Sequence, residues 1–286
     1  MFTAPTDLPM PVPGAPSMSM FDPVFIGITE SGHPAYLDLV YHNLLDAGEP
    51  GGGKSVLMQN LVGHAFLCHD FTPVLLDPKW VELGMWMQAA EAAGGIFVGP
   101  DIDKGLRVLR RLQKVMDRRY AWLVAHGRRK FVPGDAINVI GVFIDELAYY
   151  TATTGTPEQQ KEFIALVRDL VARGRACAMP VIAATQRPSV DIIPTSLRDL
   201  FGYRAAFRCT TPNSSDIILG HGWASAGFNA QAISPQTPGV FYLIAEGGTP
   251  HLVKAAYLTD EQIHRLAHYV TWIRRHGDQV SAPLAA

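Results

Sequence analysis

Three short stretches of this sequence combine residue types that can do chemistry. The first is Gly48-Glu49-Pro50-Gly51-Gly52-Gly53-Lys54-Ser55, followed by Val56. It fits G-x-x-x-x-G-K-[ST], a loop whose glycines let backbone N–H groups turn inward around phosphate oxygens. Upstream, Asn43–Ala47 reads as a short buried strand. Downstream, Val56–Phe66 carries apolar residues at helical spacing without proline. A helix N-terminus adds partial positive charge to such a loop. The alternative, a glycine-rich turn that happens to end in Lys-Ser, does not account for both flanking elements. Residues 48–56 are therefore read as contacting nucleoside-triphosphate phosphates. Lys54 would reach the β- and γ-phosphates, and the Ser55 hydroxyl would ligate Mg²⁺.

The second stretch is Val139-Ile-Gly-Val-Phe-Ile-Asp-Glu146, an apolar run ending in two adjacent acids. Neighbouring side chains on a strand point in different directions. Asp145 is assigned to Mg²⁺ and Glu146 to the attacking water. An Asp capping a helix after a buried strand is the competing explanation, but the phosphate loop upstream favours chemistry. Together the two stretches indicate hydrolysis, because a nucleotide switch without turnover has no need of Glu146. The third stretch, Val181-Ile-Ala-Ala-Thr-Gln-Arg-Pro-Ser189, delivers Thr185 and Gln186 to a strand end, where a polar side chain can sense a γ-phosphate. A polar strand end before a proline-defined turn explains it equally well.

The elements that must position these residues alternate. Strands are expected at Asn43–Ala47, Thr72–Asp77, Ile96–Gly99, Ile137–Asp145 and Val181–Thr185. Helices are expected at Lys54–His69, from Trp80, at Lys104–Ala125 and at Gln159–Arg173. This pattern predicts an α/β fold, a mostly parallel sheet with helices on both faces and ligands at the carboxyl edge of its strands. Before it, Pro23–Thr29 and Ala35–Val40 predict a small N-terminal β-ribbon. After it, Arg204–Cys209, Gly239–Ala245 and His251–Tyr257 read as short strands, the last two as a hairpin, with a Gly/Ser/Asn/Pro-rich gap at Thr210–Pro238. Thr259 and Gln262 carry capping-box chemistry for a closing helix. Residues 1–20 read as a disordered Pro/Met-rich arm, 21–42 as the ribbon, 43–275 as one catalytic domain and 276–286 as a flexible tail.

Composition sets outer limits. The chain has 286 residues, 48% of them hydrophobic and 17% charged, with a net charge of −2. That supports a large core and excludes a globally basic nucleic-acid binder, though not a locally basic channel. Neither a secretory leader nor a membrane-spanning run is evident. Cys68, Cys177 and Cys209 lack metal or disulfide spacing, so a cytoplasmic protein with reduced thiols is expected.

Ala184-Thr-Gln-Arg-Pro-Ser-Val-Asp191 resembles the signature of the FtsK/SpoIIIE family of ring-shaped DNA translocases. Leu76-Asp-Pro-Lys79 followed by Val81-Glu-Leu83 is similar to that family's Ile-Asp-Pro-Lys and Glu-Leu segment. Met116-Asp-Arg-Arg-Tyr120 is similar to its Met-Glu-Arg-Arg-Tyr. With the phosphate loop and acidic strand these occur in the family's order, from about Val24 to Ile263.

The resemblance implies a RecA-like P-loop NTPase that uses ATP and Mg²⁺, forms a homo-oligomeric ring, a hexamer, and moves double-stranded DNA. It places Lys54, Ser55, Asp145, Glu146 and Gln186 in the roles above. Arg175 falls where related motors place an arginine that reaches the neighbouring subunit's nucleotide; Arg173 competes for that role, and a helix C-terminal arginine complementing the dipole is the bland alternative. Asp77-Pro78 also fits a helix start, with Asp77 as cap and Pro78 as first helical residue. Ten of the 24 Lys and Arg residues lie between Lys104 and Lys130, but Leu106, Leu109, Leu112, Met116, Tyr120 and Leu123 mark that helix's buried stripe, so the basic residues read as its wet side. Tyr149–Lys161 and Arg187–Arg204 are the candidate DNA-contacting loops. Pro50 and Gly52 depart from the family's usual Thr and Ser. With neither an anchor nor a C-terminal winged-helix module expected, a membrane-bound or DNA-loading partner would supply recruitment. A compact motor of this kind resembles the transfer proteins of actinobacterial mobile elements, or phage-borne relatives, more than chromosome-segregation proteins. A type VII-like secretion ATPase and a non-processive coupling protein are the alternative readings.

Overall fold

The computed structural model of the chain describes residues 16, 18–245 and 247–280, with side chains described as far as residue 276. Most of the Pro/Met-rich arm and the end of the tail lie outside the described residues. Where the arm becomes describable it is docked: Met20 is buried, and Asp70 accepts from its N–H at 2.8 Å and from the Ser19 hydroxyl at 2.7 Å.

In chain order the strands are β1 (Val24–Thr29), β2 (Pro34–Leu37), β3 (Leu44–Ala47), β4 (Phe71–Leu76), β5 (Ile96–Val98), β6 (Val139–Ile144), β7 (Val181–Thr185), β8 (Tyr203–Phe207), β9 (Val240–Ala245) and β10 (His251–Ala255). The α-helices are α1 (Lys54–Leu67), α2 (Met87–Ala92), α3 (Ile102–Ala125), α4 (Pro157–Arg173), α5 (Thr195–Arg198), α6 (Pro212–Leu219) and α7 (Asp260–Val280). The strands form one sheet in the order β2-β1-β10-β9-β8-β3-β7-β6-β4-β5. From β8 to β5 every pairing is parallel. From β8 outward to β2 every pairing is antiparallel. The β1–β2 hairpin is hydrogen-bonded to β10 and so extends the antiparallel wing.

The parallel strands are buried on both faces, which is why they read as near-continuous apolar runs. One face packs against Leu57, Leu61 and Phe66 of α1, Ala89 and Ala90 of α2, and Ile263 and Val270 of α7. The other packs against Leu106, Leu109, Leu112 and Met116 of α3, Phe163 and Val167 of α4, and Ile218 and Leu219 of α6. The mostly parallel sheet covered on both faces is the RecA-like arrangement expected, and the stripe on α3 is the one its spacing predicts. Among the described residues no helix is long and apolar enough to cross a membrane. All three cysteines are free and buried.

Local chemistry moves several boundaries. Asp101 caps α3, accepting from Lys104 N at 2.9 Å, so that helix starts two residues before Lys104. Thr156 and Gln159 form a reciprocal capping box, so α4 starts at Pro157 rather than Gln159. The expected box at Thr259 and Gln262 is present, at 3.2 and 2.9 Å. The expectation of a helix from Trp80 is wrong: residues 77–83 form a tight loop, a 3₁₀ turn follows at Gly84–Trp86, and α2 begins only at Met87. The Gly/Ser/Asn/Pro-rich gap contains α6, started by Thr211, whose hydroxyl accepts from Ser214 N.

Candidate nucleotide site

The parallel strands β3, β6 and β7 end along one edge of the sheet, and the three chemical stretches meet there. The phosphate loop leaves β3 pinned to its neighbours: Gly48 N donates to Thr185 O of β7, and Glu49 N to Arg208 O just beyond β8. The Glu49 carboxylate pairs with Arg208. Gly53 adopts φ +99, and a Cβ there would lie 2.2 Å from Gly239 N. Only glycine fits, because Gly239 N must donate to Gly52 O at 2.8 Å. Gly51, at φ +77, has nothing within 4 Å of its missing Cβ. Lys54 opens α1 with its ammonium inside the loop, donating to Gly48 O at 2.8 Å and Glu49 O at 3.0 Å. Burial pushes its pKa down, while Asp46, Glu146 and Asp145 pull it back up.

Asp145 and Glu146 follow β6 and diverge. Glu146 turns toward β7: its Oε1 accepts from the Thr185 hydroxyl at 2.8 Å and from Ala148 N at 3.2 Å, and its Oε2 from Gln186 N at 3.2 Å. Thr185 is fully buried. The carboxylate therefore ties together the segments that leave β6 and β7. Asp145 faces the other way, toward the β4 loop. Burial, then the nearby Asp77 and Glu82 carboxylates, raise its pKa to about 7.

The β4 loop is organised by Asp77, which is fully buried. Its Oδ1 accepts from Lys79 N at 2.8 Å and Trp80 N at 3.0 Å, and its Oδ2 from Leu83 N at 2.9 Å. Asp77 thus caps a loop, and the expected helix start with Pro78 as its first residue does not form. The loop carries two residues to the site that motif reasoning left without a role. Glu82 accepts from the Ser55 hydroxyl at 2.6 Å, and Lys79 Nζ stands 3.9 Å from Glu146 Oε2. The Asp-Pro-Lys and Val-Glu-Leu segments were the available signal.

These groups fit a magnesium nucleotide by their donor chemistry. Ser55 and Asp145 are hard oxygen donors, and a divalent cation would favour the charged form of a carboxylate that burial, then two neighbouring acids, disfavour. Among the described residues no three metal-binding side chains converge by themselves. Mg²⁺ takes one or two protein oxygens and completes its shell with phosphate and water.

A further buried acid lies directly below the loop. Asp46 of β3 is 1% exposed, sits between Ala184 and Ala205 in register, and neither carboxylate oxygen has a hydrogen-bond partner among the described residues. Burial drives its pKa well up, opposed by Lys54 and reinforced by Asp145.

Arg175 is not brought to this cluster. It precedes β7 and lies at the amino edge of the sheet, where its Nε donates to Tyr41 O at 2.5 Å. It lines a cavity of about 350 Å³ with Asp199, Leu200, Phe201, Gly202, Arg204 and Gly247. Arg173 is paired with Asp117 and with Asp169 at 3.1 Å and lies over the Tyr120 ring. Basic residues of α3 have structural work as well: Arg110 pairs with Glu162 at 2.7 Å, and Arg119 donates to the carbonyls of Cys177 and Asn138. The two candidate DNA loops begin beside Glu146. The first continues as a π-helical turn at Tyr149–Thr153 into α4, and the second runs through α5 to β8.

The model of the FtsK/SpoIIIE family matches residues 19–221; the chain belongs to that family. It is similar to the DNA translocase FtsK of Treponema pallidum (strain Nichols), 29% identical over 274 residues that cover 90% of this chain and 32% of that protein. Against the DNA translocase FtsK of Staphylococcus epidermidis it is 27% identical over 268 residues, 86% of this chain and 32% of that one. The chain thus spans about a third of the length of these relatives. In fold it is similar to the pCW3 conjugation coupling protein TcpA, in its monomer form with ATPγS, with a TM-score of 0.75 at 22% identity, covering 93% of this chain and 75% of that one. It is also similar in fold to the cytoplasmic domain of the type VII secretion ATPase EccC of Thermomonospora curvata, with a TM-score of 0.65 at 20% identity, covering 92% and 32%.

Proposed function

We propose, proceeding from membership of the FtsK/SpoIIIE family, that the chain is an ATP-hydrolysing motor that assembles as a ring, a hexamer, and moves along double-stranded DNA. The observation that carries this reading is the seat of Glu146. Its carboxylate acts on Lys54 and Asp145 while bonding the residues that lead into both candidate DNA loops, Ala148 before the first and Thr185 and Gln186 before the second. A change at the carboxylate during turnover would therefore be felt by the segments assigned to DNA.

In this reading the glycine loop binds the phosphates through its N–H groups, and Lys54 holds the β- and γ-oxygens. Mg²⁺, held by Ser55 and Asp145, would neutralise charge on the phosphates. Glu146 orients and polarises the attacking water, and Gln186, whose main chain is fixed on Glu146, reads the γ-phosphate with its side chain. Arg175 lies at the sheet edge opposite its own phosphate loop, so its partner nucleotide is that of the adjacent subunit. Arg204 borders the same cavity. Duplex grip by Tyr149–Lys161 and Arg187–Arg204 would rest on sparse phosphate contacts repeated around the ring. The names of the curated relatives favour DNA as cargo, and service in conjugative or mobile-element transfer, with a partner recruiting the motor to the membrane or to DNA, extends the same reading.

The test is displacement of a triplex-forming oligonucleotide from linear duplex DNA. Wild-type protein with Mg-ATP should strip the third strand, and Glu146→Gln should not. The glutamine carbonyl can still accept from Thr185 and Gln186, so the variant keeps its fold while losing the charge. Turnover without displacement would refute motion on DNA and transfer the reading to a polypeptide cargo.

A further inference from the structure

Lys79 has no role in the phosphate-loop and acidic-strand chemistry, yet the fold spends strain to place it. Trp80, the next residue, adopts φ +64, a left-handed conformation that a bulky side chain rarely takes. Its indole lies flat on Gly99, where a Cβ would meet the ring at 2.5 Å, and against Phe97 at a centroid distance of 5.0 Å. Behind it the buried Asp77 carboxylate fixes the N–H groups of residues 79, 80 and 83. The main chain at Lys79 is thus determined from both sides, while its side chain stays nearly half exposed, at 46%.

That side chain points across the site. Its ammonium is 3.9 Å from Glu146 Oε2, too far for a hydrogen bond and close enough for an ion pair. Its charge also acts on Asp145 and on Lys54. Lys54 stands on the loop side of the same space, with its ammonium on the Gly48 and Glu49 carbonyls. Two ammonium groups on different elements thus face the region between the phosphate loop and Glu146, where the end of a phosphate chain laid along the loop would arrive.

We propose that Lys79 is a second cationic contact to the terminal phosphate of the bound nucleotide, one that distinguishes a nucleoside triphosphate from a diphosphate. The proposal rests on the nucleotide-site reading above and adds a residue to it. Attachment to the rigid Asp77 loop matters: a contact made only with the third phosphate links its presence to β4 as well as to β6 and β7. The competing role is neutralisation of Asp145 and Glu146, which is indifferent to the number of phosphates.

Calorimetric titration of the full chain with Mg·ATPγS and with Mg·ADP separates the two. Lys79→Ala should weaken Mg·ATPγS binding about tenfold, as expected for loss of one partly exposed charge-assisted contact. Mg·ADP binding should change less than about twofold, and Lys79→Arg should restore most of the triphosphate preference. Equal weakening of both nucleotides, or no change in either, would overturn the proposal in favour of the neutralising role. If the wild-type chain binds neither nucleotide while remaining folded, the nucleotide-site reading itself fails and takes this one with it. Unchanged melting temperature of Lys79→Ala guards against misfolding, and the Arg variant supplies the same comparison if the Ala variant is unstable.

Discussion

Asp46→Val should make the protein more stable, and more so at neutral than at acid pH. The carboxyl is fully buried, its two oxygens have no hydrogen-bond partner among the described residues, and the residues beside it in the sheet are alanines. Leaving such a group without a partner costs about 1–3 kcal/mol even when it is uncharged. Valine is similar in size, and its branched side chain suits a buried strand. The pH dependence follows from proton linkage. Burial raises the folded-state pKa of Asp46 well above the ordinary 3.8, so above that pH the folded chain retains a proton that the unfolded chain releases. The wild type therefore loses about 1.4 kcal/mol per pH unit from this group, from the unfolded pKa up to the folded one. Valine has no such slope. Urea unfolding at pH 4.5 and pH 7.5, with equal m-values required, measures both quantities. The variant should gain about 1–3 kcal/mol at the lower pH and clearly more at the higher. A variant no more stable than wild type at pH 7.5, or a gain independent of pH, would show that Asp46 has a partner in the folded protein and refute the reasoning.

Four other substitutions probe the site's construction. Gly53→Ala places a Cβ 2.2 Å from Gly239 N and should cost about 2 kcal/mol or more in unfolding free energy while abolishing ATPγS binding; Gly51→Ala, with open space, should cost only about 1 kcal/mol of backbone strain. Asp77→Ala removes the acceptor of three backbone N–H groups and should destabilise by about 3 kcal/mol in chemical denaturation, with hydrogen exchange rising over residues 79–83. Thr185→Val removes the buried hydroxyl from Glu146 Oε1 and should lower kcat for ATP while leaving KM near the wild-type value. An unchanged kcat would mean that this hydroxyl does not set the carboxylate.

Much of the fold was legible because its elements announce themselves locally. The glycine loop between β3 and α1, the apolar run of β6 and the 3.6-residue stripe of α3 each need only their own residues to be recognised. The Asp77 loop did not, because Asp-Pro at a strand end suits a helix start as well as a capped loop. What decides between them is the reach of the buried carboxylate to the N–H of Leu83, six residues on. Helix α6 was hidden by Asn213, Ser214 and Ser215, whose composition reads as loop although Thr211 caps it. Within the site, the two adjacent acids were readable, but the bond from Thr185 to Glu146 spans 39 residues and exists only once β7 lies beside β6. The isolation of Asp46 is equally invisible, since a single acid in a short strand says nothing about partners across it. The surroundings of Arg173 and Arg175 needed tertiary structure too: Asp117 and Asp169 pair with the former, and the latter donates to Tyr41 O and borders a cavity at the sheet edge.

The central claim is that nucleotide turnover at this site serves movement on duplex DNA. Its most direct test is steady-state ATPase activity with and without long linear duplex DNA, at two salt concentrations, with Lys54→Ala in parallel. Strong stimulation by duplex that weakens with salt and vanishes in Lys54→Ala is the predicted result. Wild-type turnover that ignores DNA at both salt concentrations would contradict it.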